Sequence, residues 1–233
     1  MSNKNRNADA ELKDLIHLLG HDVRNSVRAL VEVPKWIHED LEDSEVKLPS
    51  NVSEHLEILA TQANRLEKMI DDLLVYSKFQ KPDVSGLIDL ETSVRKLIAK
   101  TRLPSGFAVQ CDLRCADVHI GQEDFDAILS ELLNNAVKHH NAPQGKITIV
   151  AQATDAAFEM TVADDGAGVS DQHAEKIFLP MKTLRPRDEV EGSGMGLSIA
   201  RRIVEGYGGT LTVKGSVFRI SIPQSEAYSR LVG

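Results

Sequence analysis

Between Leu12 and Leu41 the apolar positions recur in steps of three and four: Leu12, Ile16, Leu19, Val23, Val27, Leu30, Val33, Ile37 and Leu41. That period predicts a helix with one buried seam. Pro34 falls inside it, and because the seam resumes at Ile37 the proline predicts a bend rather than a stop. Acidic residues and Leu48-Pro49-Ser50 then mark a turn, and Asn51 followed by Glu54 fits a capping box opening a second helix. Its seam runs Val52, Leu56, Leu59, Ala63, Leu66, Ile70 and Leu73. Two such helices predict an antiparallel hairpin. A lone hairpin leaves part of both seams uncovered, so two copies are predicted to pair as a four-helix bundle, a homodimer.

The pattern changes after Lys81-Pro82-Asp83-Val84-Ser85-Gly86, which reads as a hinge between residues 1–80 and a second domain at 87–233. There, helices are predicted at Glu91–Lys100, Glu123–His139 and Leu197–Tyr207. Period-two alternation predicts strands at Phe107–Leu113, Lys146–Gln152, Phe158–Ala163, Thr210–Val213 and Val217–Ile222. Helices gathered on one face of a mostly antiparallel sheet make an α+β sandwich.

Composition narrows the function classes. A formal charge of -8 argues against nucleic-acid binding, which needs a basic footprint, and 4% aromatic residues leave little for base stacking. No apolar run reaches the roughly 20 residues of a membrane span, and the N-terminus lacks the apolar core of a secretory signal. A cytoplasmic protein without membrane insertion is the expectation. Cys111 and Cys115 alternate with apolar residues in a strand-like stretch and read as packed thiols.

Three segments carry chemistry. On the first helix, with Ile16 and Leu19 at seam positions a and d, His21 falls opposite the core, stacked with His17 and Asn25 at spacings of four, and Asp22 lies beside it. An exposed imidazole is a competent nucleophile near neutral pH, and a neighbouring carboxylate can hold one ring proton while the other nitrogen attacks. His17 and His21 also have the spacing of a metal pair, without an obvious third ligand. On the helix ending at His139, Glu131, Asn135 and Lys138 share a face. The Asn135 amide oxygen suits Mg²⁺, and Lys138 can reach phosphate as a point charge. Asp164 ends an alternating strand at a turn where Gly166 and Gly168 permit close backbone approach, and its carboxylate can accept the exocyclic amine of adenine. Lys182, Arg185 and Arg187 then precede Gly192-Ser193-Gly194-Met195-Gly196, directly before a helix. Glycines there let amides and a helix N-terminus face phosphates, under a mobile basic lid.

Taken together, these residues resemble the kinase core of a two-component sensor histidine kinase: a dimerisation and histidine-phosphotransfer hairpin followed by a Bergerat-type ATP-binding domain. The likeness runs from about Leu12 to Pro223. Glu131 to His139 resembles the N box, Asp164 to Gly168 the G1 box, Lys176 to Pro180 with Phe178 the F box, and Gly192 to Leu197 the G2 box. His21 with Asp22 resembles the H box. The resemblance implies that His21 is phosphorylated from Mg·ATP, that Asp22 orients it, and that Asn25 places a water for dephosphorylating a partner. It implies that Asn135 ligates Mg²⁺ and Asp164 reads adenine. It also assigns Lys138, His139, Gly166, Gly168, Phe178, Gly192, Ser193, Gly194, Met195, Gly196 and Leu197 to the nucleotide. The implied partner is a response-regulator receiver domain.

The chain departs from the family at several positions. Ser26 stands where a proline is frequent, and Asp165 where the G1 motif has asparagine, a change expected to be minor. Glu131 replaces an asparagine, leaving it as a metal ligand, an aid to the histidine, or a promoter of hydrolysis. The glycine-rich hairpin Lys214-Gly215-Ser216-Val217-Phe218 is short. No sensor, membrane segment or receiver is evident around the core, which implies either a piece of a larger protein or a small kinase driven by a separate sensor. Two rival readings remain: an anti-sigma-type serine kinase, which has no need of the His21-Asp22 pair, and a non-catalytic phosphotransfer or scaffold protein.

Overall fold

The computed structural model describes residues 23–41, 43, 49–78, 82, 86–101, 103–114, 117–154, 156–184 and 192–224. The chain divides into two compact units, Met1–Lys78 and Phe79–Gly233. Of the predicted hinge, only Pro82 and Gly86 lie within the described residues.

In the first unit, α1 is helical over 23–41, without interruption at the buried Pro34, and α2 spans Ser50–Lys78. Val27 and Val31 of α1 and Ala63, Ile70 and Leu74 of α2 form one buried cluster. Arg24 Nη2 donates to Asp71 Oδ1 at 2.5 Å beside it. Of the predicted seams, Val27, Ala63 and Ile70 are buried here, joined by Val31 and Leu74, which the seams omitted. Val23, Leu30 and Ile37, seven residues apart, stay exposed, as do Val52, Leu59, Leu66 and Leu73 on α2. Asn51 is not the cap: α2 already includes Ser50, and the Pro49 carbonyl accepts from Val52 N–H (2.9 Å) and Ser53 N–H (3.2 Å), so proline opens the helix.

The second unit is an α+β sandwich. A five-stranded sheet runs in the order β2-β4-β5-β7-β6, with β2 Phe107–Leu113, β4 Gly145–Ala153, β5 Ala157–Asp164, β6 Thr210–Lys214 and β7 Val217–Pro223. Only β2 and β4 pair in parallel; the other neighbours are antiparallel. Alternate residues Ile147, Ile149 and Ala151 on β4, Phe158, Met160 and Val162 on β5, and Phe218, Ile220 and Ile222 on β7 are buried. Each such burial contributes about 1.5–3 kcal/mol for the larger side chains, which fixes the register. Two short strands, β1 (Leu87–Asp89) and β3 (Asp117–His119), form a separate antiparallel pair. Gly86 packs so closely on Gly121 that a Cβ would lie 2.7 Å from its Cα.

Helices α3 (Leu90–Lys100), α4 (Gln122–Lys138) and α5 (Gly196–Gly206) complete the sandwich. Asp89 caps α3 by accepting from Thr92 N–H at 2.6 Å. The α4 core face consists of Phe125, Ile128, Leu129, Leu132, Leu133 and Ala136, which turns Glu131, Asn135 and Lys138 away from the sheet interior. Buried Tyr207 ties the end of α5 to the start of α4: its hydroxyl donates to Asp124 Oδ2 (2.6 Å) and accepts from Gly121 N–H (2.9 Å). Cys111 corrects the expectation of packed thiols. It is exposed, because β2 is an edge strand with a single neighbour; Cys115 lies outside the described residues.

Candidate functional site

Helix α4 is the element on which the site is assembled. Beside Glu131 stands the N-terminus of α5: a Cβ built on Gly196 would overlap the Glu131 carboxylate and would have to displace the end of that side chain. At the far end of α4 stands the turn after β5: a Cβ on Gly166 would lie 3.0 Å from His140 Cδ2 and 3.5 Å from Asn141 Oδ1. Asn135, half-buried, lies on α4 between these two contacts, one turn beyond Glu131, with the exposed Lys138 one turn further along the same face and the exposed His139 closing the helix. Segments far apart in the sequence, the Gly166 turn and the start of α5, thus meet one helix.

Asp164 is half-buried at the end of β5. Its Oδ1 accepts from Gly166 N–H at 2.9 Å, and its backbone carbonyl accepts from Ser216 Oγ–H at 2.6 Å. Burial pushes its carboxyl above the usual range, against the Gly166 hydrogen bond and the His140 ring, which favour the charged form. The β6–β7 turn backs this loop. Val169 N–H donates to Gly215 O at 2.8 Å, and Gly168, at φ +69°, lies where a Cβ would be 2.5 Å from Gly215 C.

The glycine-rich segment enters α5 with Met195 in the capping position, a side chain that offers the first helical N–H groups no oxygen acceptor. Uncapped N–H groups at the start of an 11-residue helix suit a phosphate. Ser193 Oγ instead accepts from Met195 N–H at 3.1 Å, and both residues are buried. Gly194, at φ +73°, abuts Met181 and Lys182, where a Cβ would be 3.0 Å from Lys182 O. Gly192 faces open space. Met181 adopts φ 61°, a left-handed conformation costly to an L residue. Phe178 is 4% exposed, packed edge-on against Phe218 (6.4 Å) and under the Arg201 guanidinium (4.9 Å), which itself bonds Glu175 at 2.7 Å. Its position anchors the segment that leads towards Lys182. Arg185 and Arg187 lie outside the described residues.

Of the predicted acceptor residues, Asn25 is exposed on α1; His17, His21 and Asp22 lie outside the described residues. Among the described residues, no group of three His, Cys, Asp or Glu side chains could hold a metal. A cation held by the Asn135 amide oxygen, with most ligands coming from phosphate and water, fits Mg²⁺ chemistry. Sequence reasoning missed His140 and Arg201. It also treated Asp165 as minor, whereas its carboxylate accepts from both Lys146 N–H (2.7 Å) and His140 Nε2–H (3.0 Å).

The comparisons bear on this geometry. Residues 121–226 match the family described as histidine kinase-, DNA gyrase B-, and HSP90-like ATPase, a span running from the start of α4 to the end of β7. The phytochrome-like protein Cph1 of Synechocystis is 28% identical over 228 residues, 93% of this chain and 30% of that protein. Sensor histidine kinase ZraS of Escherichia coli O157:H7 is 26% identical over 227 residues, 88% of this chain and 44% of that protein. Residues 121–226 thus match an ATPase family, and the chain is similar over 88% of its length to a sensor histidine kinase. The chain spans less than half the length of either relative. In fold, the histidine kinase ThkA solved in complex with the response regulator TrrA superposes with a TM-score of 0.63 at 20% identity, covering 96% of this chain and 66% of that one. No helix among the described residues is long and apolar enough to cross a membrane.

Proposed function

We propose that the chain is an ATP-dependent protein-histidine kinase, with residues 1–80 as the dimerisation and phosphotransfer domain, 81–86 as hinge and 87–233 as the catalytic ATP-binding domain. The observation that carries the nucleotide reading is the convergence on α4: Gly196 at Glu131, Gly166 at His140, and Asn135 between them. In this reading the half-buried Asp164 carboxylate receives the adenine amine and the Gly192–Leu197 segment faces the phosphates. Asn135, with Glu131 nearby, holds Mg²⁺, which when bound neutralises phosphate charge.

A ring nitrogen of His21 attacks the γ-phosphorus of ATP. The phosphorus–nitrogen bond forms as the bond to the ADP oxygen breaks, and Asp22 holds the proton on the other ring nitrogen. The phosphoryl group then passes to an aspartate of a response-regulator receiver domain, and Asn25 places a water that hydrolyses the aspartyl phosphate, releasing inorganic phosphate. A response regulator is the partner in the ThkA complex, which supports this assignment. Homodimerisation through the hairpin is supported by the exposed rows Val23, Leu30, Ile37 and Leu59, Leu66, Leu73. A cytoplasmic setting accompanies this reading.

Incubation with γ-labelled ATP and Mg²⁺ tests it. Acid-labile, base-stable label that is lost in His21→Ala is the expected result. Acid-stable label would transfer the chain to the serine kinases, and absence of label would leave a non-catalytic adaptor.

A further inference from the structure

The residue the mechanism leaves unused is His140. Its side chain is 4% exposed, enclosed by the edge of Phe107 (5.2 Å between ring centroids) and by Gly145 and Gly166. An enclosed imidazole has two nitrogens to pair. Both nitrogens here are engaged. Nε2–H donates to Asp165 Oδ1 at 3.0 Å. Nδ1 lies 3.1 Å from Ala142 N and 2.9 Å from Ala142 O, so it accepts the amide when the ring is neutral and donates to the carbonyl when the ring is protonated. The ring thus keeps its bond to Asp165 in either state.

That bond matters because of its neighbour. Asp164 ends β5 and Asp165 follows it in the turn, so two carboxylates stand consecutively there. Asp165 is held on the α4–β4 side by His140 and Lys146 N–H, while the Asp164 carboxylate accepts from Gly166 N–H. Two unrestrained neighbouring carboxylates would repel each other and compete for the same donor.

We propose that His140 is a positioning residue for base recognition: by holding Asp165 on the α4–β4 side it fixes the turn so that Asp164 alone is presented to the exocyclic amine of the purine. This rests on the nucleotide reading above. It also explains why Gly166 must lack a side chain, since a Cβ would press on both Asp164 Oδ1 (2.7 Å) and the His140 ring (3.0 Å).

The test uses the full chain with ATP and GTP in titration calorimetry, and imidazole nitrogen NMR on the nucleotide-free protein. His140→Ala is expected to weaken ATP binding about tenfold, the scale of one charge-assisted hydrogen bond, and to narrow the preference for ATP over GTP. His140→Gln, which retains a side-chain N–H for Asp165, should recover most of the affinity. In an Asp165→Ala background, His140→Ala should add less than about twofold, because the pair acts as a unit. In the nucleotide-free protein, Asp165→Asn should lower the pKa of the His140 ring, a readout independent of nucleotide. Equal losses in His140→Ala and His140→Gln, or additive losses in the double variant, would reduce His140 to packing and overturn the proposal. Wild-type chain that binds no ATP overturns both this proposal and the nucleotide reading. Wild-type binding with unchanged affinity in His140→Ala overturns this one alone.

Discussion

Gly168 and Gly215 both adopt left-handed backbone, at φ 69° and 60°, and they face each other across the bridge between the β5 turn and the β6–β7 turn. Their surroundings differ. A Cβ on Gly215 meets nothing within 4 Å, whereas one on Gly168 would lie 2.5 Å from Gly215 C and 2.6 Å from Ser216 N, both backbone atoms that cannot rotate away. Gly215→Ala therefore incurs only the conformational penalty, about 1–2 kcal/mol. Gly168→Ala incurs the same penalty and must also push the two turns apart. That separation breaks Val169 N–H to Gly215 O (2.8 Å) and Ser216 Oγ–H to Asp164 O (2.6 Å), at about 1 kcal/mol each. The expected total is about 3–4 kcal/mol. For a unit of this size, each kcal/mol shifts the melting temperature by about 2–4 °C. Differential scanning calorimetry of the full chain should show the second unit losing roughly 10 °C in Gly168→Ala and roughly 4 °C in Gly215→Ala. Equal shifts, or a larger one for Gly215→Ala, would refute the argument from close approach.

Three further outcomes follow from the same structure. Asp164→Asn removes a charged acceptor and should weaken ATP binding about 10- to 100-fold in calorimetry; a change under twofold would contradict the role given to that carboxylate. The His140–Asp165 pair sets a pH window. The Ala142 carbonyl and the carboxylates of Asp165 and Asp164 raise the His140 pKa above 6.5, so its contribution is full below 6.5 and lost as pH rises through the folded value. Asp165, lowered below 3.8 by Lys146 N–H and His140, stabilises above 3.8 and loses that contribution on acidification. Melting temperature should therefore fall as pH is raised beyond 6.5, and the fall should be smaller in His140→Gln; identical pH profiles would count against the pair. Finally, Leu66→Glu places a charge in the exposed apolar row of α2 and should convert a dimer to a monomer in sedimentation velocity, whereas an unaltered sedimentation coefficient would remove that row from the interface.

Strong periodicity was legible in the sequence, and local signals at chain ends were not. The strands β4, β5, β6 and β7 and the helices α3, α4 and α5 lie within a residue or two of the expected limits, because each buries one clean face. The three-residue strands β1 and β3 are too short to show a period, and nothing local reveals that β2 joins β4 in parallel. The hairpin seams looked single because threes and fours record only that a position is apolar. Division into Val27 and Val31 inside and Leu30 and Ile37 outside needs the second helix. In the site, Asp164, Asn135 and the glycines carry motifs. His140 and Asp165 do not: their contact spans 25 positions, and neither residue type alone implies it. Asn51 misled because capping boxes are common by composition, while Pro49 supplied a carbonyl that any residue carries.

Assembly of the site along α4 makes that helix a ruler. From Glu131 to His139 is eight residues, roughly 12 Å of axis. One residue inserted between them would rotate the far end by about 100° and carry the Gly166 turn out of line with the start of α5. A change of length within α4 should therefore separate the Gly196–Glu131 contact from the Gly166–His140 contact.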